Sequence, residues 1–176
     1  SDINALKKES PDLRACFVDV TNFKSCQEAV SQTIESFGRL DVLINNAGVV
    51  NSGPIESFEE TAWDKIFEVN TKGIFLMTKA ALSDLKKSKA PSIINTASIA
   101  GKKGYANMSA YCGSKFAAIG ITQSLANELA PDGIRVNAIC PGMVGTAMWL
   151  DHLLPTNAMD HSQKTQEFEE MMQERI

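Results

Sequence analysis

The sequence predicts an α/β fold, a parallel sheet with helices packed on both faces. Strand-like and helix-like patterns alternate along the chain, as strand–helix–strand units require. The best strand, "LDVLIN" at 40–45, is a near-continuous apolar run of the kind covered on both faces. Each candidate strand also ends in a distinctive set of small or polar residues, and ligands bind outside the carboxyl ends of such strands.

The elements follow in order. "SDINALKKES" at 1–10 reads as helix. "RACFVDV" at 14–20 is β-like and ends in Asp19-Val20. Apolar residues at 23, 26, 30, 34 and 37 then mark one helix face, stopped by Gly38. After the 40–45 strand, 61–87 reads as one long helix, with Thr61 and Asp64 as a capping-box-like start. "PSIINTAS" at 91–98 is a strand, and 109–130 a helix stopped by Pro131-Asp132-Gly133. "IRVNAI" at 134–139 is the last strand, ended by Cys140-Pro141-Gly142. Beyond it come scattered apolar residues and a charged helix-like run, "SQKTQEFEEMMQER". No repeat or low-complexity linker interrupts the chain, so the expectation is one domain over 1–176.

Composition narrows the function. The 176 residues are 44% hydrophobic and carry a net charge of −4, with both signs interspersed. No basic block offers a phosphate-tracking stripe, which argues against nucleic acid. No apolar run approaches the ~18 residues of a membrane helix, and no secretory leader pattern opens these residues. Cys16, Cys26, Cys112 and Cys140 form no C-x-x-C pair, and the two histidines complete no metal-ligand cluster. Reduced thiols in a cytoplasmic protein are the preferred reading over disulfides.

The chemistry-bearing residues sit at the strand ends and at the start of the 109–130 helix. "NNAG" at 45–48 could be a turn, Asp19-Val20 a helix cap and Pro141-Gly142 a β-turn. "SAYCGSK" at 109–115 sets Tyr111 and Lys115 four apart, one above the other on a helix. A phenol with its usual pKa near ~10 is a poor base at neutral pH. An ammonium about 5 Å away favours the phenolate by roughly 3 kcal/mol at an effective dielectric near 20, about two pKa units. Tyr111 could then serve general acid–base work. Cys112 beside it reads as a small buried residue.

Taken together, Asp19-Val20, "NNAG", Asn70 in "VNTKG", Ser98 in "TAS", Tyr111-Cys-Gly-Ser-Lys115 and "CPGMVGTAM" (140–148) resemble the ordered markers of the short-chain dehydrogenases/reductases. The thirteen-residue step from Ser98 to Tyr111 is similar too. The resemblance implies a Rossmann-like doubly wound, three-layer αβα sheet, NAD or NADP as cofactor, and interconversion of a secondary alcohol and a ketone.

It further implies a catalytic set of Asn70, Ser98, Tyr111 and Lys115. Asn70 would anchor a water linking Lys115 to solvent, Ser98 would hold the substrate oxygen, and Lys115 would also bond the nicotinamide ribose. Asp19 and Val20 would contact adenine. Asn46, Ala47 and Gly48 would lie along the adenosine ribose, and Pro141, Gly142, Val144 and Thr146 along the nicotinamide. Residues 145–176 correspond to a substrate lid, where Trp149, Leu150, Leu153 and Leu154 would form an apolar wall or pack on the sheet.

The "TAMW" run is most similar to polyol, acetoin or sugar-alcohol dehydrogenases, with 3-oxoacyl carrier-protein reductases as rivals. Lys102 and Lys103 could attract an anionic substrate, or simply be solvated. A catalytically silent, nucleotide-binding member is the alternative from another class. The helices at 61–87 and 109–130 resemble those that build the family's homotetramer or dimer contacts. The family's glycine-rich turn, the strand that selects NAD or NADP and the final strand have no counterpart in these residues. A longer protein is therefore expected. Within 1–176 the 14–20 strand would lack a neighbour, and the 40–45 strand would gain an open edge.

Overall fold

The computed structural model describes residue 10, residues 12–146, residue 148 and residues 161–173. Three parallel strands form one sheet in the order β1-β2-β3: β1 Val42–Asn45, β2 Ser92–Thr96 and β3 Arg135–Ile139. Among the described residues five α-helices accompany them: α1 Phe23–Phe37, α2 Glu60–Phe67, α3 Gly73–Leu85, α4 Ser109–Leu129 and α5 His161–Gln173. The parallel α/β expectation holds. Residues 1–9 of the predicted opening helix and the wall residues Trp149, Leu150, Leu153 and Leu154 lie outside the described residues.

Local rules explain most boundaries. Asn22 caps α1 by accepting from the Ser25 amide at 3.1 Å. Gly38 ends α1 with φ of 72° and returns its amide to Ile34 at 2.8 Å, the left-handed cap foreseen for it. Gly133 turns the chain after α4 with φ of 71°.

Three expectations fail. The capping box at Thr61 is not formed, because α2 starts at Glu60 behind Glu59 and no side chain caps it. The single helix at 61–87 is broken by a π-turn over Glu68–Lys72, in which the Gly73 amide reaches five residues back to Glu68. Residues 14–20 form no strand, and Phe17 stands 86% exposed. That segment has strand propensity but no strand beside it to receive its backbone hydrogen bonds.

The register sorts the sheet's two faces. Leu43, Ile93 and Val136 share one row, and Asn45, Asn95 and Ala138 another, on the same side. Against them pack Ala81 and Leu85 of α3, Leu129 of α4 and Val30 of α1. A fully buried Leu or Ile of this kind contributes roughly 2 kcal/mol. Two polar side chains are buried in the same layer and satisfied there. Asn45 donates to Asn95 at 2.8 Å, and Asn95 donates to Thr122 of α4 at 2.9 Å.

Helices on both faces were expected, yet among the described residues this layer covers one face. The cause is topological. Both crossovers step the same way across the sheet, and right-handed crossovers in one direction lay their helices on one side. On the other side Val42, Ile44 and Ile139 are 46%, 59% and 49% exposed. As expected from sequence, β1 is an edge.

Candidate active site

The candidate residues gather at the carboxyl ends of the strands. Tyr111 and Lys115 lie on the first turns of α4 and are 7% and 4% exposed. The Lys115 Nζ stands 5.7 Å from the centroid of the Tyr111 ring, confirming the one-turn stacking. It donates to the main-chain carbonyl of Thr96 at 2.8 Å, where β2 ends. Sequence reading missed Thr96, which also donates from Oγ1 to Asn46 Oδ1 at 3.0 Å. Only its place one strand end from "NNAG" hinted at this, since a carbonyl partner has no sequence signature.

Ser98 follows β2 and starts the 3-10 turn Ile99–Gly101, its Oγ accepting from the Ala100 amide at 3.1 Å. The Ser98 side chain lies close enough to Tyr111 to lower the phenol's pKa. The turn is held to β3 from both sides of Ser98. The Ala97 amide donates to Ile139 at 2.8 Å, and the Ile99 amide to Pro141 at 3.0 Å.

Asn70 sits in the π-turn and is buried. Its Oδ1 accepts from the Val49 amide at 2.8 Å, while Nδ2 donates to the Val49 carbonyl at 2.9 Å and to Ser114 Oγ at 3.0 Å. Both amide hydrogens are thereby used, and Oδ1 keeps one lone pair. The side chain acts as a strap joining the "NNAG" segment to α4. Ser114, inside "SAYCGSK" but not singled out from sequence, completes the strap by donating to the Tyr111 carbonyl at 2.7 Å.

Gly48 faces the same point. A Cβ on it would lie 3.5 Å from Asn70 Oδ1 and 3.6 Å from Lys115 Nζ. Asn46 and Ala47 join Val18, Val20, Ile44 and Gly73 around a cleft of about 180 Å³. Val20 rests on Gly73, where a Cβ would meet its Cγ2 at 3.0 Å. Asp19 is exposed, its Oδ1 accepting from the Thr21 amide at 2.9 Å and the Thr21 hydroxyl at 2.8 Å, which hold its carboxyl below the usual range. The structure thus brings Val20 together with Asn46 and Ala47 around that cleft, while Asp19 does not line it. Pro141 lies beside the Ser98 turn. Gly142, Val144 and Thr146 are exposed, and the Thr146 amide bonds Val144 at 2.7 Å.

Electrostatics correct one expectation. Burial pushes the Tyr111 phenol above its ordinary value, and the neighbouring Ser98 side chain pulls it only partly back. Burial also pushes Lys115 down to about 8. The expected fall in the Tyr111 pKa therefore does not occur in this state. Desolvation penalises both charged forms, and the ammonium is bonded to Thr96 rather than to the phenol. Among the described residues no group of three or more His, Cys, Asp and Glu could hold a metal, and no helix is long and apolar enough to cross a membrane.

Ser98 past the end of β2, with buried Tyr111 and Lys115 at the start of α4, defines a class, and the comparisons identify it. The short chain dehydrogenase family model matches residues 2–154, and the chain belongs to that family. A 3-alpha-(or 20-beta)-hydroxysteroid dehydrogenase of Mycobacterium bovis is 44% identical over 135 residues, which are 77% of this chain and 52% of that protein. The crystal structure of levodione reductase superposes with a TM-score of 0.83 at 32% identity, covering 94% of this chain and 65% of that one. Carveol dehydrogenase from Mycobacterium avium in complex with NAD gives a TM-score of 0.72 at 33% identity, covering 76% and 49%. The chain spans about half the length of the curated relatives it matches.

Proposed function

We propose that the protein is an NAD(P)-dependent oxidoreductase interconverting a secondary alcohol and a ketone, with Tyr111 as general acid–base. One observation carries this reading. Lys115 is a nearly buried ammonium whose one hydrogen bond goes to Thr96, leaving two of its three donors for a ligand beside Tyr111 and Ser98. Two ribose hydroxyls would satisfy them, Gly48 leaves the approach open, and Asn46 and Ala47 just before it line the cleft.

When bound, the nicotinamide supplies the hydride acceptor or donor. Ser98 holds the substrate oxygen through its hydroxyl. In oxidation, Tyr111 takes the hydroxyl proton as the hydride leaves the carbinol carbon; in reduction, Tyr111 returns that proton to the carbonyl oxygen. Its raised pKa keeps the phenol protonated at neutral pH, which suits the reductive direction. Lys115 lies close enough to favour the phenolate once ligands replace water around it. Asn70 holds the Val49 segment and α4 in register, and its remaining lone pair can take the water of a proton relay. Pro141, Gly142, Val144 and Thr146 would face the nicotinamide, and Asp19, Val20, Asn46, Ala47 and Gly48 the adenosine half.

For the substrate, the polyol or acetoin reading rests on the 146–149 run, of which Ala147 and Trp149 lie outside the described residues. Ile99 is partly exposed next to Ser98, and Val50 and Met108 pack around Ala100 and Tyr111. These apolar neighbours favour a substrate with an apolar flank beside its hydroxyl. Exposed Phe75 on α3 and Phe116 on α4 support self-association as a homotetramer or dimer. The test is nicotinamide absorbance with a panel of polyols, acetoin, cyclic alcohols and their ketones. Tyr111→Phe should lower kcat by about 10²- to 10⁴-fold. Unchanged turnover in that variant would sink the mechanism, and nucleotide binding without turnover in the wild type would favour a silent member.

A further inference from the structure

Gly101 carries no chemistry of its own, yet it lies closer to the site's main chain than any other glycine among the described residues. A Cβ built on it would stand 2.6 Å from the Lys115 carbonyl oxygen, 2.9 Å from the Lys115 carbonyl carbon and 2.9 Å from Ile119 Cδ1. The isoleucine methyl can rotate away. The Lys115 carbonyl cannot, because it is fixed in the middle of α4. Even alanine would force the 99–101 turn off the helix by several tenths of an ångström.

That turn is a short, closed unit. The Gly101 amide donates to the Ser98 carbonyl at 2.9 Å, and the Ala100 amide to the Ser98 hydroxyl at 3.1 Å. On its other side, Ile99 is bonded to Pro141. A displacement at Gly101 is therefore passed through Ala100 to the Ser98 hydroxyl, the group that lowers the Tyr111 pKa. We propose that Gly101 is a positioning residue: its bare Cα seats the turn on the Lys115 backbone and so sets the separation between the Ser98 hydroxyl and the Tyr111 phenol. The inference rests on the Ser98–Tyr111 reading above and adds to it how that pair is spaced.

The test compares the full-length wild type with Gly101→Ala, Ser98→Ala and the double variant. Gly101→Ala should keep its NAD(P) affinity within about twofold and lose about tenfold or more in kcat. The double variant should be no slower than Ser98→Ala alone, since both changes remove one interaction. The apparent pKa of the kcat profile should rise in Gly101→Ala as in Ser98→Ala, because the Ser98 hydroxyl is a group that lowers the phenol's pKa. A crystal structure of Gly101→Ala should show the Ser98 hydroxyl farther from the Tyr111 phenol than in the wild type. An unchanged Ser98–Tyr111 separation or additive losses would overturn the proposal. So would an unfolded or non-binding variant, since Gly101 would then hold the fold rather than one hydroxyl. A wild type without nicotinamide turnover would sink the functional reading instead, and the crystal structure would still decide the role of Gly101.

Discussion

Lys115 shows how much a single buried charge costs. Its pKa of about 8, against 10.5 in the open, means that folding disfavours its protonated form. That cost is present in full below about pH 8 and fades as pH rises toward the unfolded value, so the unliganded protein should gain stability across that window. Lys115→Met should stabilise it at pH 7 by about 1–3 kcal/mol, less whatever the bare Thr96 carbonyl costs, while abolishing turnover. Urea unfolding at pH 7 and pH 10 checks this, and an equal gain at both would refute it. The Tyr–Lys spacing was legible in the sequence because helix geometry fixes it. The direction of the Tyr111 shift was not. It depends first on burial of the phenol, which a four-residue spacing does not encode.

At the scale of elements, the π-turn decides what Asn70 does. A regular helix over 61–87 would present residue 70 on a different heading. The π-turn instead lets its side chain bond both main-chain groups of Val49 and the hydroxyl of Ser114. Asn70→Ala would leave the part-buried amide and carbonyl of Val49 without their partners, for a loss of about 1–3 kcal/mol measurable by denaturant unfolding. Ser114→Ala, which removes one bond of the strap, should cost less, about 1 kcal/mol. A larger loss from Ser114→Ala would contradict the strap. Strand and helix order could be read from apolar periodicity, and the stops at Gly38 and Gly133 from residue type. The π-turn could not, because its residues have ordinary helical propensity. The 14–20 strand was misread for the opposite reason, a fit propensity without a partner.

At the scale of the whole molecule, the one-sided sheet makes a prediction about this 176-residue chain. Among the described residues Val42 and Ile44 stand exposed on the open edge strand β1, a combination that invites self-association. The paired change Val42→Thr and Ile44→Thr should lower binding of an apolar fluorescent dye and slow aggregation, leaving far-ultraviolet dichroism unchanged. Unaltered dye binding would show that this face is not the exposed one. The site at the sheet's carboxyl end behaves differently under mutation. Lys115 is held by the carbonyl of Thr96, Asn70 by the amide and carbonyl of Val49, Ser114 by the carbonyl of Tyr111, and the Ser98 turn by that of Pro141. Peptide groups cannot be deleted by a codon change. Much of the sequence around the site can therefore drift under selection while its scaffold stays in place, and only the few residues that supply side chains, or must supply none, are closed to that drift.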